Sequence, residues 1–119
     1  MPALDRDLLD SLTTLREAIK KVFISWEELA KQGIGCHVVT FLDTDNNRYL
    51  LQQVQTTNER YQSQTLAHLE IRDQKIWILT DNTEQGIATE LVAAGIAKSQ
   101  IVLGFYPPRV RQRSEFAAA

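Results

Sequence analysis

Lys75-Ile76-Trp77-Ile78-Leu79-Thr80, then Asp81-Asn82-Thr83-Glu84, then Gly86-Ile87-Ala88-Thr89-Glu90-Leu91-Val92, and at last Ile101-Val102-Leu103-Gly104-Phe105, is the stretch that decides the fold. Its first segment is an unbroken apolar run of strand length and predicts a strand buried on both faces. Asp81 and Glu84 have the D-x-x-E spacing of a capping box, so a helix is expected just after the strand. Ile87, Leu91 and Val92 would form its buried face, and Gly95 would end it. As a cap, Asp81 is a structural residue whose removal costs about 1 kcal/mol. Residues 97–100 read as a connector and 101–105 as a last apolar strand. Pro107-Pro108 cannot continue a central strand, because neither residue has an N–H to donate. The block therefore reads as strand, capped helix, strand and a rigid tail.

Working upstream, the alternation at 61–72 predicts a strand, with Thr65, Ala67, Leu69 and Ile71 on one face and Leu66, His68, Glu70 and Arg72 on the other. Asp73-Gln74 joins it to the next strand in a tight turn that lacks the usual glycine. Residues 56–60 read as a polar loop and 48–55 as a strand whose Gln52-Gln53 pair suggests a wet face. Asp43 to Asn47 is a polar turn in which Asn46 and Asn47 tolerate left-handed angles. Cys36–Asp43 is rich in β-branched and aromatic residues and reads as the first strand. Before it, Leu8, Leu12, Leu15, Ile19, Val22, Trp26 and Leu29 step by fours and threes, the spacing of a long helix with one apolar seam. Asp5 or Asp7 suits its positive end and Lys31 its negative end, and Gly33 and Gly35 stop it. One helical pattern followed by strands on short turns predicts an α+β domain. It has a long N-terminal helix, an antiparallel four- to five-stranded sheet and a second helix near the C-terminus.

The 119 residues fit one domain, 1–119, by length. The 44% hydrophobic and 24% charged shares are ordinary globular composition. No apolar run approaches membrane-spanning length, and the N-terminus lacks the basic and apolar regions of a secretory signal. With the lone Cys36, these features lead us to expect a reducing cytoplasm. A net charge of −2 argues against a broad, non-specific nucleic-acid binder.

The residues offer no catalytic constellation. Asp43-Thr44-Asp45-Asn46-Asn47 opens like a calcium loop, but Arg48 and Val54 stand where such a loop needs glycine and a bidentate glutamate. Cys36 and His37 are neighbours on a strand and point to opposite faces, and with only His68 as a further soft ligand a zinc site cannot be assembled. Asp73-Gln74-Lys75 matches the acid-x-Lys triplet of metal-dependent nucleases. It falls in a tight turn, however, where a metal would be loosely held. The five glycines form no phosphate loop. Arg109, Arg111 and Arg113 alternate after the prolines. On an extended tail they would face one side, a row that suits acidic protein surface or phosphate, and three charges supply only weak DNA binding.

The order and spacing of Ile76-Trp77-Ile78, Asp81, Thr83-Glu84, Gly86-Ile87-Ala88, Glu90-Leu91, Ile101-Val102-Leu103-Gly104-Phe105, Pro107-Pro108, Arg111 and Phe116-Ala117 closely resemble the signature of the XisI family. The likeness runs from about Tyr49 to the C-terminus. The chain departs from the family at Gln55-Thr56, where a Gly-Trp pair is common, and at Asp73-Gln74, where Asp-Gly is usual. It departs again at Tyr106, often His, and at Ser114, often Thr. The resemblance implies a cyanobacterial, non-catalytic accessory protein without a cofactor. It would control excision of a DNA element together with a XisH-type protein and, indirectly, a site-specific recombinase. Because XisH-like proteins look like nucleases, it leaves a second reading, an inhibitor of the antitoxin or immunity kind.

The partner surface expected from the sequence comprises Trp26, Phe105, Tyr106, Pro107, Pro108, Arg109, Arg111 and Phe116. The helical seam is long for so small a domain, which leaves apolar surface around Trp26 and beside the proline step. The tail would lie across a XisH-type partner or a second copy in a two-fold dimer, with Arg109 and Arg111 pairing to carboxylates there.

Overall fold

The computed structural model describes residues 6–33 and 36–119. Its elements are α1 (Arg6–Ala30), β1 (Cys36–Asp43), β2 (Arg48–Thr57), β3 (Arg60–Arg72), β4 (Lys75–Asp81), α2 (Ile87–Ala93), β5 (Ile101–Leu103) and a one-turn α3 (Pro108–Arg111). Asp5, Gly35 and the side chains of Leu8 and Cys36, all used in the sequence reading, lie outside the described residues. No helix among the described residues is long and apolar enough to cross a membrane.

The strands form one sheet in chain order, and β1 to β4 are an antiparallel meander. β5 departs from the expected antiparallel pattern: it lies parallel to β4, with Ile76 opposite Ile101 and Trp77 opposite Val102. The reason is the helix between them, since a crossover through a helix brings the chain back in the same direction.

α1 covers one face of the sheet. Leu15, Ile19, Val22 and Phe23 bury against Tyr49, Leu51, Leu69, Ile71, Ile76 and Ile78, and α2 adds Ile87 and Leu91. The seam read from the sequence omits the fully buried Phe23 and includes Leu29, which is exposed. A strict four–three step drifts against the true helical period, so over 25 residues the buried stripe rotates away from it.

Leu66 and Ala67 are both buried, although simple alternation places them on opposite faces. Leu51 pairs with Ala67 but Gln52 pairs with Thr65, so Leu66 is an extra residue at a β-bulge. The loop expected at 56–60 is tighter than read. β2 and β3 meet in a two-residue turn whose central residues, Asn58 and Glu59, have φ of 50° and 66°. Asp73 and Gln74 repeat this geometry at 50° and 61°. Both turns have the positive angles of the primed hairpin type, without glycine. At the β1–β2 turn Asn47 has φ 54°, and its side-chain oxygen accepts a 2.8 Å bond from Arg16 Nη2 of α1.

β3 runs well past β4, whose pairing begins only at Ala67, so the β2–β3 arm projects. The molecule measures 57 × 35 × 23 Å with a radius of gyration of 15.7 Å. A compact chain of this length would have about 13–14 Å.

Candidate partner-binding surfaces

Asp81, at the end of β4, organises the first candidate surface. The capping box expected with Glu84 does not form, because the helix starts six residues later, with Gly86 as its N-cap residue. Asp81 instead reaches across the loop. Its Oδ2 accepts the Ile87 N–H at 2.7 Å, and its Oδ1 accepts the Thr83 N–H at 2.9 Å and the Thr83 hydroxyl at 2.5 Å. Thr83 Oγ1 in turn accepts the Gly86 N–H at 3.2 Å. The carboxylate thus satisfies free donors at the positive end of α2. The far end of α2 closes as the sequence predicts. Gly95, with φ 103°, and Ile96 donate to Val92 and Leu91 at 3.0 Å each, a Schellman motif.

Beside this loop a groove of about 470 Å³ is lined by Trp26, Leu29, Gln53, Leu66, Asn82 and Glu90. Trp26, expected on the partner surface, is half-buried in its wall, and its Nε1 donates to Glu90 Oε2 at 3.0 Å. Burial pushes the Glu90 carboxyl above the usual carboxylate range; the Trp26 bond opposes the rise and the nearby Asp81 charge adds to it. Because the folded state disfavours the ionised form, this group favours the fold most in acid. That contribution is lost as pH rises from the ordinary carboxylate range through the raised value. Glu90→Gln keeps an acceptor for Trp26 and removes the charge. Relative to the wild type, the variant should therefore gain up to a few degrees in melting temperature on going from about pH 4 to about pH 7. Thermal denaturation at both pH values checks the sign.

The second surface lies on the opposite face of the sheet. Ile76 and Ile78 point into the core, so Trp77 between them points outward. The Arg72 guanidinium stands 5.1 Å from the Trp77 ring and that of Arg111 stands 5.2 Å from it. Arg72 also donates to Glu70 through Nε at 2.8 Å and pairs with it through Nη2 at 2.7 Å. Trp77 Nε1 and Arg111 Nε are shielded from solvent and have no acceptor among the described residues.

The tail expected to be extended is not. Pro107 is extended and leads into α3, so Arg109, Arg111 and Arg113 do not form a straight row. Arg111 turns onto Trp77, while Arg109 stays exposed. Phe105 and Tyr106 are both exposed, with ring centroids 4.6 Å apart. Pro108 fills the first turn of α3, where its missing N–H costs nothing. Phe116 packs against this chain's own core. Ala117 bridges to Val102 in parallel, its N–H donating to Ile101 O at 2.8 Å. The tail thus adds a single bridge to the free edge of β5, and its Arg111 covers Trp77 on the outer side of β4. Trp77 had no place in the sequence-based partner set. The signal for it was available, because the Asp73-Gln74 turn sets a register that brings Arg72 beside Trp77.

Among the described residues no three His, Cys, Asp or Glu side chains converge to hold a metal. Asp73 and Lys75 sit at the exposed β3–β4 turn, and Asp43 spends its carboxylate on the backbone and side chain of Asn46.

The architecture is thus a four-stranded meander with a helix on one face, closed by a parallel crossover and a tail strapped to its far edge. The sequence model of the XisI protein family matches residues 9–118, and the chain belongs to that family. A XisI-like protein from Anabaena variabilis ATCC 29413 has a similar solved structure, with TM-score 0.80 and 29% identity. It covers 91% of this chain and 99% of its own. The fdxN element excision controlling factor XisI from the same organism is similar with TM-score 0.74 and 28% identity, over 92% and 99%. A search of the curated proteins gave no match.

Proposed function

We propose that this protein is a non-catalytic accessory that controls site-specific excision of a DNA element. It would act by binding a XisH-type protein and reach the recombinase through it. Family membership carries the reading, supported by the likeness to a solved excision controlling factor over nearly the whole chain. The outer face supplies the contact: Phe105, Tyr106 and Arg109 are exposed beside the Arg72–Trp77–Arg111 clamp. The exposed guanidinium of Arg109 suits carboxylates on the partner. Contact with DNA itself would be weak, given the acidic whole.

The test is co-purification with a XisH-type protein of the same genome, together with an excision assay on the matching element. Arg109→Glu and Tyr106→Ala are surface changes. Each should weaken co-purification about tenfold, the scale of one interface anchor, and slow excision in proportion. Unchanged binding by both variants would remove this face from the contact. If the XisH-type protein arrests growth alone and is harmless with this chain, while excision is unaffected, the protein is an inhibitor instead.

A further inference from the structure

β1 is an edge of the sheet. It pairs with β2 on one side, and among the described residues nothing pairs with its other side. Natural edge strands are usually blunted by lysine, proline, a bulge or a cover, because their free N–H and C=O groups invite another strand. β1 reads Cys36-His37-Val38-Val39-Thr40-Phe41-Leu42-Asp43, without lysine or proline, and its pairing with β2 runs unbroken. The edge is also apolar on both sides. Thr40 Oγ1 donates to Glu27 Oε1 of α1 at 2.6 Å, so Val38, Thr40 and Leu42 share the helix face. Val39 and Phe41 then lie on the opposite face, which no helix covers, and Phe41 is 54% exposed. On α1, Ile24 is exposed between Lys20 and Glu27, on the side that reaches β1.

The strand is also complementary to itself. Counted outward from Thr40, Val39 matches Phe41, Val38 matches Leu42 and His37 matches Asp43. An antiparallel pairing of two copies of β1 centred on Thr40 therefore sets apolar against apolar on both faces and a basic side chain against an acidic one at each end. Asp43 is already held in place by Asn46, with its backbone N–H at 3.3 Å and its Nδ2 at 2.9 Å. We propose that a second copy of this chain docks here about a two-fold axis through Thr40, joining the two sheets edge to edge. The tail, folded onto its own sheet, is left free for another partner.

Light scattering at tens of micromolar should give twice the mass of one chain. Phe41→Lys, an exposed change, should weaken the dimer about tenfold or more with an unchanged circular-dichroism spectrum. His37→Asp should weaken it similarly by facing Asp43 of the other copy, whereas His37→Lys should not. Register is read by cross-linking in a Cys36→Ser background. A mixture of Val39→Cys and Phe41→Cys should form a mixed disulfide on mild oxidation, in preference to either homodimer. A wild-type monomer overturns the proposal, as does a dimer indifferent to Phe41→Lys and His37→Asp. Preferential homodimer cross-linking at either position also overturns it.

Discussion

Asp81→Ala is expected to lower stability by about 2–3 kcal/mol, more than the ~1 kcal/mol that a simple cap would give, because three donors lose one charged acceptor. For a chain of this length that is roughly 8–12 °C in melting temperature. The three bonds act as a unit and do not add separately. Asp81→Asn, which keeps a single carbonyl oxygen, should recover part of the loss, since it can serve the Ile87 N–H or the Thr83 pair but not both. Glu84→Ala should leave the melting temperature within a degree or so, as Glu84 is exposed and outside this network. Thermal and urea unfolding of the three variants measure the order. A Glu84 effect equal to that of Asp81 would restore the capping box.

Gly104→Ala is expected to cost about 1–3 kcal/mol, the usual range for overpacking. A Cβ there would lie 3.0 Å from Leu79 Cδ2, 3.1 Å from Ile78 O and 3.3 Å from Trp77 Cε3. Leu79 is a flexible side chain and can give way. Ile78 O cannot, because it accepts the Phe105 N–H at 3.1 Å and fixes the chain as it leaves β5. Relief requires the strand to lift, and with it Phe105, Tyr106 and the start of the tail. Gly104→Val should be worse and should also loosen binding through the outer face. Unfolding measurements on both, with co-purification of the folded fraction, check the pair. A neutral Gly104→Ala would mean that the β5 exit moves freely.

The meander was legible because its signals are local. Turns at Asp73-Gln74 and around Asn47, alternation along β3 and the apolar run of β4 each depend on a few neighbouring residues. What escaped depends on distant ones. The bulge at Leu66 leaves no local mark, since both Leu66 and Ala67 suit either face. The parallel placement of β5 follows from how α2 packs, not from the five residues of its run. The tail misled because Pro107-Pro108 signals the end of a strand and equally the start of a helical turn. Of the expected partner residues, Phe105, Tyr106, Pro107, Pro108 and Arg109 lie at the surface. Trp26 and Phe116 are claimed by Glu90 and by the core, contacts spanning 64 residues in the first case. Phe41 could have been suspected, because Cys36–Asp43 is apolar at both alternating sets of positions and the chain has too few helices to cover both.

The two tryptophans report on different events. Trp26 shares a hydrogen bond with a carboxylate on the helical face, and Trp77 is held between two guanidinium groups on the other. Indole emission responds to nearby charge and to water, and these two rings experience charges of opposite sign. Light from Trp77 follows the docking of the tail, since half of its clamp is Arg111. Light from Trp26 follows the seating of α2 against α1. Single-tryptophan forms therefore turn the protein into a pair of built-in optical probes, one for each side of its sheet.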